Sequence, residues 1–256
     1  MTTVYLHGMP GSPRELTLFP AIDTTGWLAP DRSALRLQGE QRERLDVLTD
    51  LVREVCGQGP VRLVGFSLGA CTALEIARGL PAAPLSLHLV SAAAPLESGG
   101  FLDDMAGKAV FAAALQSPHR LSLLVRLQAG LARGVPGLLA RMLFASVQGN
   151  DRLLAKDPAF RRIIADILRD CLAADTANYR AELAAYVRPW AHWLGEVRHP
   201  ITLWHGTRDT WAPPAMADAL ERLLPNVIAH HRFQDSSHYS ALGEALMRLT
   251  RGDGAR

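Results

Sequence analysis

Cysteine is scarce in this chain. Cys56, Cys71 and Cys171 stand far apart, their number is odd, and no Cys-x-x-Cys pair occurs. That argues against a disulfide framework and against a cysteine-held zinc site, and leaves three small apolar side chains for packing. Lysine is scarcer still: Lys108 and Lys156 are the only two, so arginines scattered along the chain carry the positive charge. The formal net charge is only +2, so nucleic acid is not an expected partner. A long uncharged apolar run is also missing. The most apolar region, residues 121–147, is broken by Arg126, Arg133 and Arg141, whereas a membrane span needs about 20 largely uncharged residues. No stable membrane insertion is expected. The opening MTTVYLHG has no basic segment ahead of an apolar one, so no secretory leader is expected and a cytoplasmic location is.

What remains is a chain of 256 residues, 48% of them hydrophobic, enough for a sizeable core. Short apolar runs at 4–7, 61–64, 85–90, 201–205 and 227–233 read as strands, with a briefer one at 27–29. Residues 40–56 read as an amphipathic helix, because Leu45, Leu48, Leu51, Val52 and Val55 recur at spacings of three and four. Further helices are expected at 12–22, 70–80 and 241–250, with a frayed tail at 252–256. Strands alternating with helices predict an α/β fold, a mostly parallel sheet flanked by helices. Between residues 97 and 195 the alternation stops. Helical segments at 101–115, 118–132, 138–147, 159–173 and 177–186 predict a helical insertion, dividing the chain into a core of 1–96 and 196–256 and a cap of 97–195. The stripe at 121–147 is expected to form the cap's inner face in preference to a lipid-facing surface.

The stretch Val64-Gly65-Phe66-Ser67-Leu68-Gly69-Ala70 brackets one serine with glycines between a strand and a helix. A hydroxyl that must stand clear of the backbone needs a compact, strained turn, and side chains at the flanking positions would strike the strand and helix. A tight structural turn is the plainer reading of the same letters. A serine becomes a nucleophile when a histidine accepts its proton and a carboxylate orients that histidine. His238, in a polar segment after the last strand, is the candidate base; His205, His230 and His231 are its rivals. Asp209, after the strand at 201–205, is the candidate acid, and Asp235 its rival. Both candidates follow the C-terminal ends of strands, where parallel sheets place their sites. The turn His7-Gly8-Met9-Pro10-Gly11 follows the first strand. The N–H groups of Met9 and Leu68 are the candidate oxyanion hole, since Pro10 has no N–H. Phe66 and Trp211 are expected to border the substrate pocket. Trp190 and Trp193 line it or pack in the core, and His7 is expected to shape the turn by hydrogen bonding.

The motifs HGMPGS, Ala29-Pro30-Asp31, GFSLG, HGTRD and SSH, in this order over nearly the whole chain, resemble the α/β-hydrolase superfamily. The resemblance implies Ser67 as nucleophile, Asp209 as the orienting acid, His238 as base, a helical cap over the sheet, and no metal or organic cofactor. The family's first two antiparallel strands are not seen ahead of residue 4, which leaves a sheet edge open to solvent or to a second copy of the chain. The expected activity is hydrolysis of a carboxylic ester, thioester or lactone of a small, largely apolar acyl substrate, by a monomer or homodimer. Two alternatives stay open: a lyase that uses the same triad, as in the menaquinone-pathway synthase group, and a non-catalytic ligand-binding protein on this scaffold.

Overall fold

A computed structural model describes residues 1–33, 41–173 and 175–252. Strand β1 (Thr2–Leu6) leads into the His7-Gly8 turn. Helix α1 (Gln41–Cys56) follows; its expected first residue, Glu40, lies outside the described residues. Strand β2 (Val61–Phe66), helix α2 (Gly69–Gly79) and strand β3 (Leu85–Val90) complete the first half. An all-helical stretch then intervenes: α3 (Lys108–Gln116), α4 (Pro118–Gly134), α5 (Pro136–Leu143), the single turn α6 (Asp151–Leu154), α7 (Pro158–Leu172) and α8 (Ala177–Tyr186). Strand β4 (Ile201–Gly206), helix α9 (Pro214–Leu223), strand β5 (Val227–Phe233) and helix α10 (His238–Arg251) finish the chain.

The five strands form one parallel sheet in the order β1-β2-β3-β4-β5. Strands β2 and β4 are buried at every position. This is why they read as mostly apolar runs without a polar face: a parallel sheet covered on both faces has no polar side to alternate with, and Arg62, Thr202 and His205 are buried along with their neighbours. The register aligns Phe66 with Val90, Val90 with Trp204, and Gly206 with Phe233, so the C-terminal ends of β2 to β5 stand side by side.

Several expectations change in detail. The helix expected at 12–22 is only a 3-10 turn at Pro13–Thr17, with Glu15 buried. The strand expected at 27–29 is one bridge, Leu28 to Val4, with Tyr5 N–H donating to Leu28 O and Leu28 N–H to Thr3 O. Pro30 has no N–H and cannot extend that ladder. The segment 101–115 divides into a 3-10 turn at Phe101–Asp104 and α3. Helix α10 starts three residues ahead of the expected 241, at His238. Gly252 closes it at φ +84, and the rest of the expected tail lies outside the described residues.

In α4 and α5, Leu121, Val125, Ala129, Ala132, Leu139 and Ala140 are buried. The same helices also expose Leu123, Leu127, Leu138 and Met142. Local punctuation sets two of the helix starts: Ser117 accepts from Arg120 N–H ahead of Pro118 at α4, and Asp157 accepts from Ala159 N–H ahead of Pro158 at α7.

Candidate active site

Ser67 sits between β2 and α2 at φ +54, a region that L-residues other than Asn and Asp seldom enter. The strain is held by backbone bonds: Ser67 N–H donates to Val90 O on β3, and Ser67 O accepts from Ala70 N–H. The flanking glycines are sterically required. A Cβ on Gly65 would lie 2.6 Å from Ala70 Cα, and one on Gly69 would lie 2.1 Å from Leu6 O. Gly8 approaches from the other side, where a Cβ would stand 3.3 Å from both Ser67 Cβ and Phe66 Cδ1. The His7-Gly8 turn and the serine turn are therefore in direct contact.

Around Ser67 two backbone donors are free. Among the described residues neither Met9 N–H nor Leu68 N–H has an acceptor. Gly8 N–H is already taken by Glu15 Oε2 at 3.1 Å. His7 Nδ1 donates to Gly8 O at 2.8 Å, and its Nε2 accepts from Arg32 N–H at 2.9 Å. Burial holds the His7 imidazole below its ordinary pKa, consistent with a neutral ring that shapes the turn.

His238 Nδ1 lies 2.8 Å from Asp209 Oδ2, both side chains buried. Asp209 Oδ1 accepts from the N–H groups of Trp211 (2.8 Å) and Ala212 (3.0 Å). Burial opposes the Asp209 charge, but His238, then His205 and the Ala212 N–H, outweigh it and keep the carboxyl below its ordinary pKa. Asp209 is thus held ionised against the ring it would orient. The rivals are otherwise engaged, and among them His205 also faces Asp209, its Nε2 3.7 Å from Asp209 Oδ2. Asp235 is exposed at φ +56, with Arg208 at 3.8 Å. His205 Nε2 bonds Ala212 O at 2.8 Å, His230 pairs with Glu221, and His231 stacks on Trp204 with ring centroids 4.2 Å apart.

Aromatic rings frame the imidazole. Phe66 packs on His238 at 4.7 Å, and Trp211 stacks on it at 5.7 Å with planes 20° apart. Phe144, from the helical insertion, touches Trp211 and Tyr239. Trp190 and Trp193 pack on each other, and with Leu68 and Tyr186 line a small cavity of about 40 Å³.

Three buried acids around the site carry no sequence motif. Glu15 accepts from Tyr5 Oη at 2.6 Å as well as from Gly8 N–H, and burial pushes its carboxyl up to about 7. Asp151, from the insertion, accepts from Tyr239 N–H (3.0 Å), Ser240 N–H (2.7 Å) and Ser240 Oγ (2.6 Å) at the start of α10. Glu182 on α8 pairs with Arg32, whose guanidinium also donates to His7 O and to Thr72 Oγ1. Elsewhere Asp218, Glu221 and His230 converge as metal-ligating types, but the Arg232 guanidinium already pairs with both acids.

The model of the alpha/beta hydrolase family matches residues 3–246. The chain belongs to the alpha/beta hydrolase family. No curated protein is matched by the sequence. Among solved structures, this hydrolase-family chain is similar to the esterase of Thermogutta terrifontis in its malate-bound form, at 17% identity and a TM-score of 0.67 over 98% of this chain and 88% of that one. It is similar to the esterase EaEST of Exiguobacterium antarcticum at 14% identity and a TM-score of 0.66, covering 100% and 91%. It is also similar to the bromoperoxidase of Bacillus anthracis at 16% identity and a TM-score of 0.65, covering 98% and 92%. Likeness at such identities is likeness of fold. No helix among the described residues is long and apolar enough to cross a membrane.

Proposed function

We infer that this alpha/beta hydrolase is a serine hydrolase that cleaves a carboxylic ester of a small, largely apolar acyl compound through an acyl-enzyme. The observation that carries the reading is the His238–Asp209 bond at 2.8 Å, with the His238 ring packed at 4.7 Å on Phe66, the residue before a serine held at φ +54. Ser67 attacks the carbonyl carbon while His238 takes its proton, and Asp209 stabilises the imidazolium. The Met9 and Leu68 N–H groups receive the oxyanion, each such donor contributing roughly 3 to 4 kcal/mol to the transition state. His238 then protonates the leaving alcohol and activates a water, which releases the acid and restores Ser67. Phe66 and Trp211 border the substrate, and residues 97–195 act as a cap over the C-terminal edge of the sheet. Esterases among the structural neighbours support the ester reading.

The test is labelling with a fluorophosphonate, read by peptide mass spectrometry, with Ser67→Ala as control. A single adduct on Ser67 is expected, absent in the variant. A folded wild-type protein without an adduct would overturn the reading. Incorporation of solvent oxygen-18 into the acid product then separates hydrolysis from elimination, which consumes no water.

A further inference from the structure

From Met105 to Asn150 the chain contains no aspartate or glutamate, while Lys108, Arg120, Arg126, Arg133 and Arg141 fall within it. Inside this acid-free stretch a five-residue pattern occurs twice, Leu123-Leu-Val-Arg-Leu127 on α4 and Leu138-Leu-Ala-Arg-Met142 on α5. The structure treats four of the five positions alike; the second differs, Leu139 being buried and Leu124 half-buried. The fourth residue, Arg126 or Arg141, is exposed, and the third, Val125 or Ala140, is buried. The outer two are exposed: Leu123 by 72%, Leu127 by 61%, Leu138 by 40% and Met142 by 58%. At 100° per residue the first and fifth positions share a helix face and the arginine flanks it. Among the described residues the Arg126 and Arg141 side chains have no hydrogen bond or ion pair. Arg161 and Arg162 on α7 are likewise unpartnered, and with Val135, Leu138 and Arg141 they line a groove of about 610 Å³.

We propose that α4 and α5 form a docking surface for an anionic lipid bilayer, lying in the interface with the leucines and Met142 among the acyl chains and the arginines at the phosphates. Protruding leucines on two successive helices, flanked by unpaired arginines, match what an interfacial helix presents. The absence of acids argues for lipid over an acidic protein. A protein partner needs a few bases opposite its own acids, whereas a continuous anionic plane repels every acid along the contact. The cavity of about 240 Å³ between α5 and α7 shares Arg141 and Arg161 with this groove, and its wall residue Phe144 touches Trp211 beside His238. The docking surface stands independently of the reaction assigned to Ser67.

Co-sedimentation with vesicles tests it, comparing phosphatidylcholine alone with the same lipid containing about one-third phosphatidylglycerol. The wild-type protein is expected to pellet only with the anionic vesicles and to be released by salt. Arg126→Gln with Arg141→Gln should weaken binding by about fivefold per arginine. Leu123→Ser with Met142→Ser should weaken it by about tenfold or more. All four side chains are exposed, so unchanged thermal unfolding verifies the fold of the variants. Wild-type protein that stays in the supernatant, or pelleting unchanged in both double variants, would overturn the proposal. So would self-association, or capture of an acidic protein, that these substitutions abolish while no vesicle is bound.

Discussion

Replacing Glu15 by glutamine probes the ground on which the His7-Gly8-Met9 turn, the candidate oxyanion turn, rests. The carboxyl is fully buried, its Oε2 bonded to Tyr5 Oη and Gly8 N–H and its Oε1 without a partner. Burial raises its pKa from 4.5 to about 7, against those two bonds and the nearby charges of His238 and Arg32. A carboxyl with a raised folded-state pKa favours folding when protonated. That contribution is complete below the unfolded value near 4.5 and is lost as pH rises through about 7. The interval corresponds to about 3 kcal/mol. Glu15→Gln keeps the shape and one acceptor for Tyr5 and Gly8, and cannot ionise. At pH ~5 its stability should lie within about 1 kcal/mol of the wild type. At pH ~8.5 it should be the more stable protein, and the difference should have grown by about 2 to 3 kcal/mol. For a chain of this size that is a rise in thermal midpoint of roughly 5 to 10 °C relative to the wild type. Thermal and urea unfolding followed by circular dichroism at both pH values measure it. An equal difference at the two pH values would refute the reasoning, since it would mean that no buried charge forms at Glu15 as pH rises.

Asp209→Asn should leave the fold intact and lower kcat by about 10⁴, because an amide cannot hold the imidazolium; a loss under about tenfold on a hydrolysed ester would move the orienting role to another carboxylate, Asp235 first. Asp151→Ala strips three acceptor contacts from the start of α10, leaving two buried N–H groups unpaired, and should cost about 2 to 5 kcal/mol in urea unfolding. It should also lower kcat more than it raises KM, since His238 is the first residue of that helix; unchanged stability would show that water replaces the carboxylate. Gly69→Ala places a Cβ 2.1 Å from Leu6 O, a backbone atom that cannot swing aside, so little soluble folded protein is expected. Expression at wild-type yield with an unchanged thermal midpoint would refute that.

The sheet was legible because burial on both faces leaves a signature that composition alone reveals. Val61–Phe66 and Ile201–Gly206 are mostly apolar, with Arg62, Thr202 and His205 buried among the apolar residues, and are bounded by Pro, Gly or polar turns. Elements held by tertiary contact were not. Residues 12–22 contain Leu16, Leu18, Phe19 and Ile22, enough for a helical expectation, yet only Pro13–Thr17 turns, because Glu15 is drawn inward to Tyr5 and Gly8. Helix α9 went unforeseen because the Pro213-Pro214 pair reads as loop punctuation, and its buried face of Met216, Ala217, Ala219 and Leu220 is short and alanine-rich. Helix α10 reads from the sequence as beginning at residue 241, although Ser237 N–H donates to Ser240 Oγ in a local cap; the other groups of its first turn, the Tyr239 and Ser240 N–H, donate to Asp151, far away in sequence.

The same division separates the residues of the site that could be read from those that could not. Ser67, Asp209 and His238, the candidate triad, follow strands, and the chemistry proposed for them restricts the residue type, so spacing and order make them readable as candidates. Glu15, Asp151 and Glu182 look in the sequence like any surface acid. The structure buries all three and gives each one piece of the site. Glu15 holds the Gly8 N–H, so the turn presents Met9 N–H as its free donor. Asp151 fixes the helix start that carries His238. Glu182 balances Arg32, which reaches behind the site to His7 O and Thr72 and so ties the first strand to α2 and α8. Each acid forgoes its hydration and is compensated by bonds, from the adjoining strand and turn for Glu15 and from elements distant in the chain for Asp151 and Glu182. Two of the three, Asp151 and Glu182, belong to the helical insertion. The helical stretch therefore contributes two carboxylates to the candidate site, Asp151 at the start of the helix that carries His238 and Glu182 against the Arg32 that reaches His7 O, and the serine hydrolase chemistry proposed above depends on both.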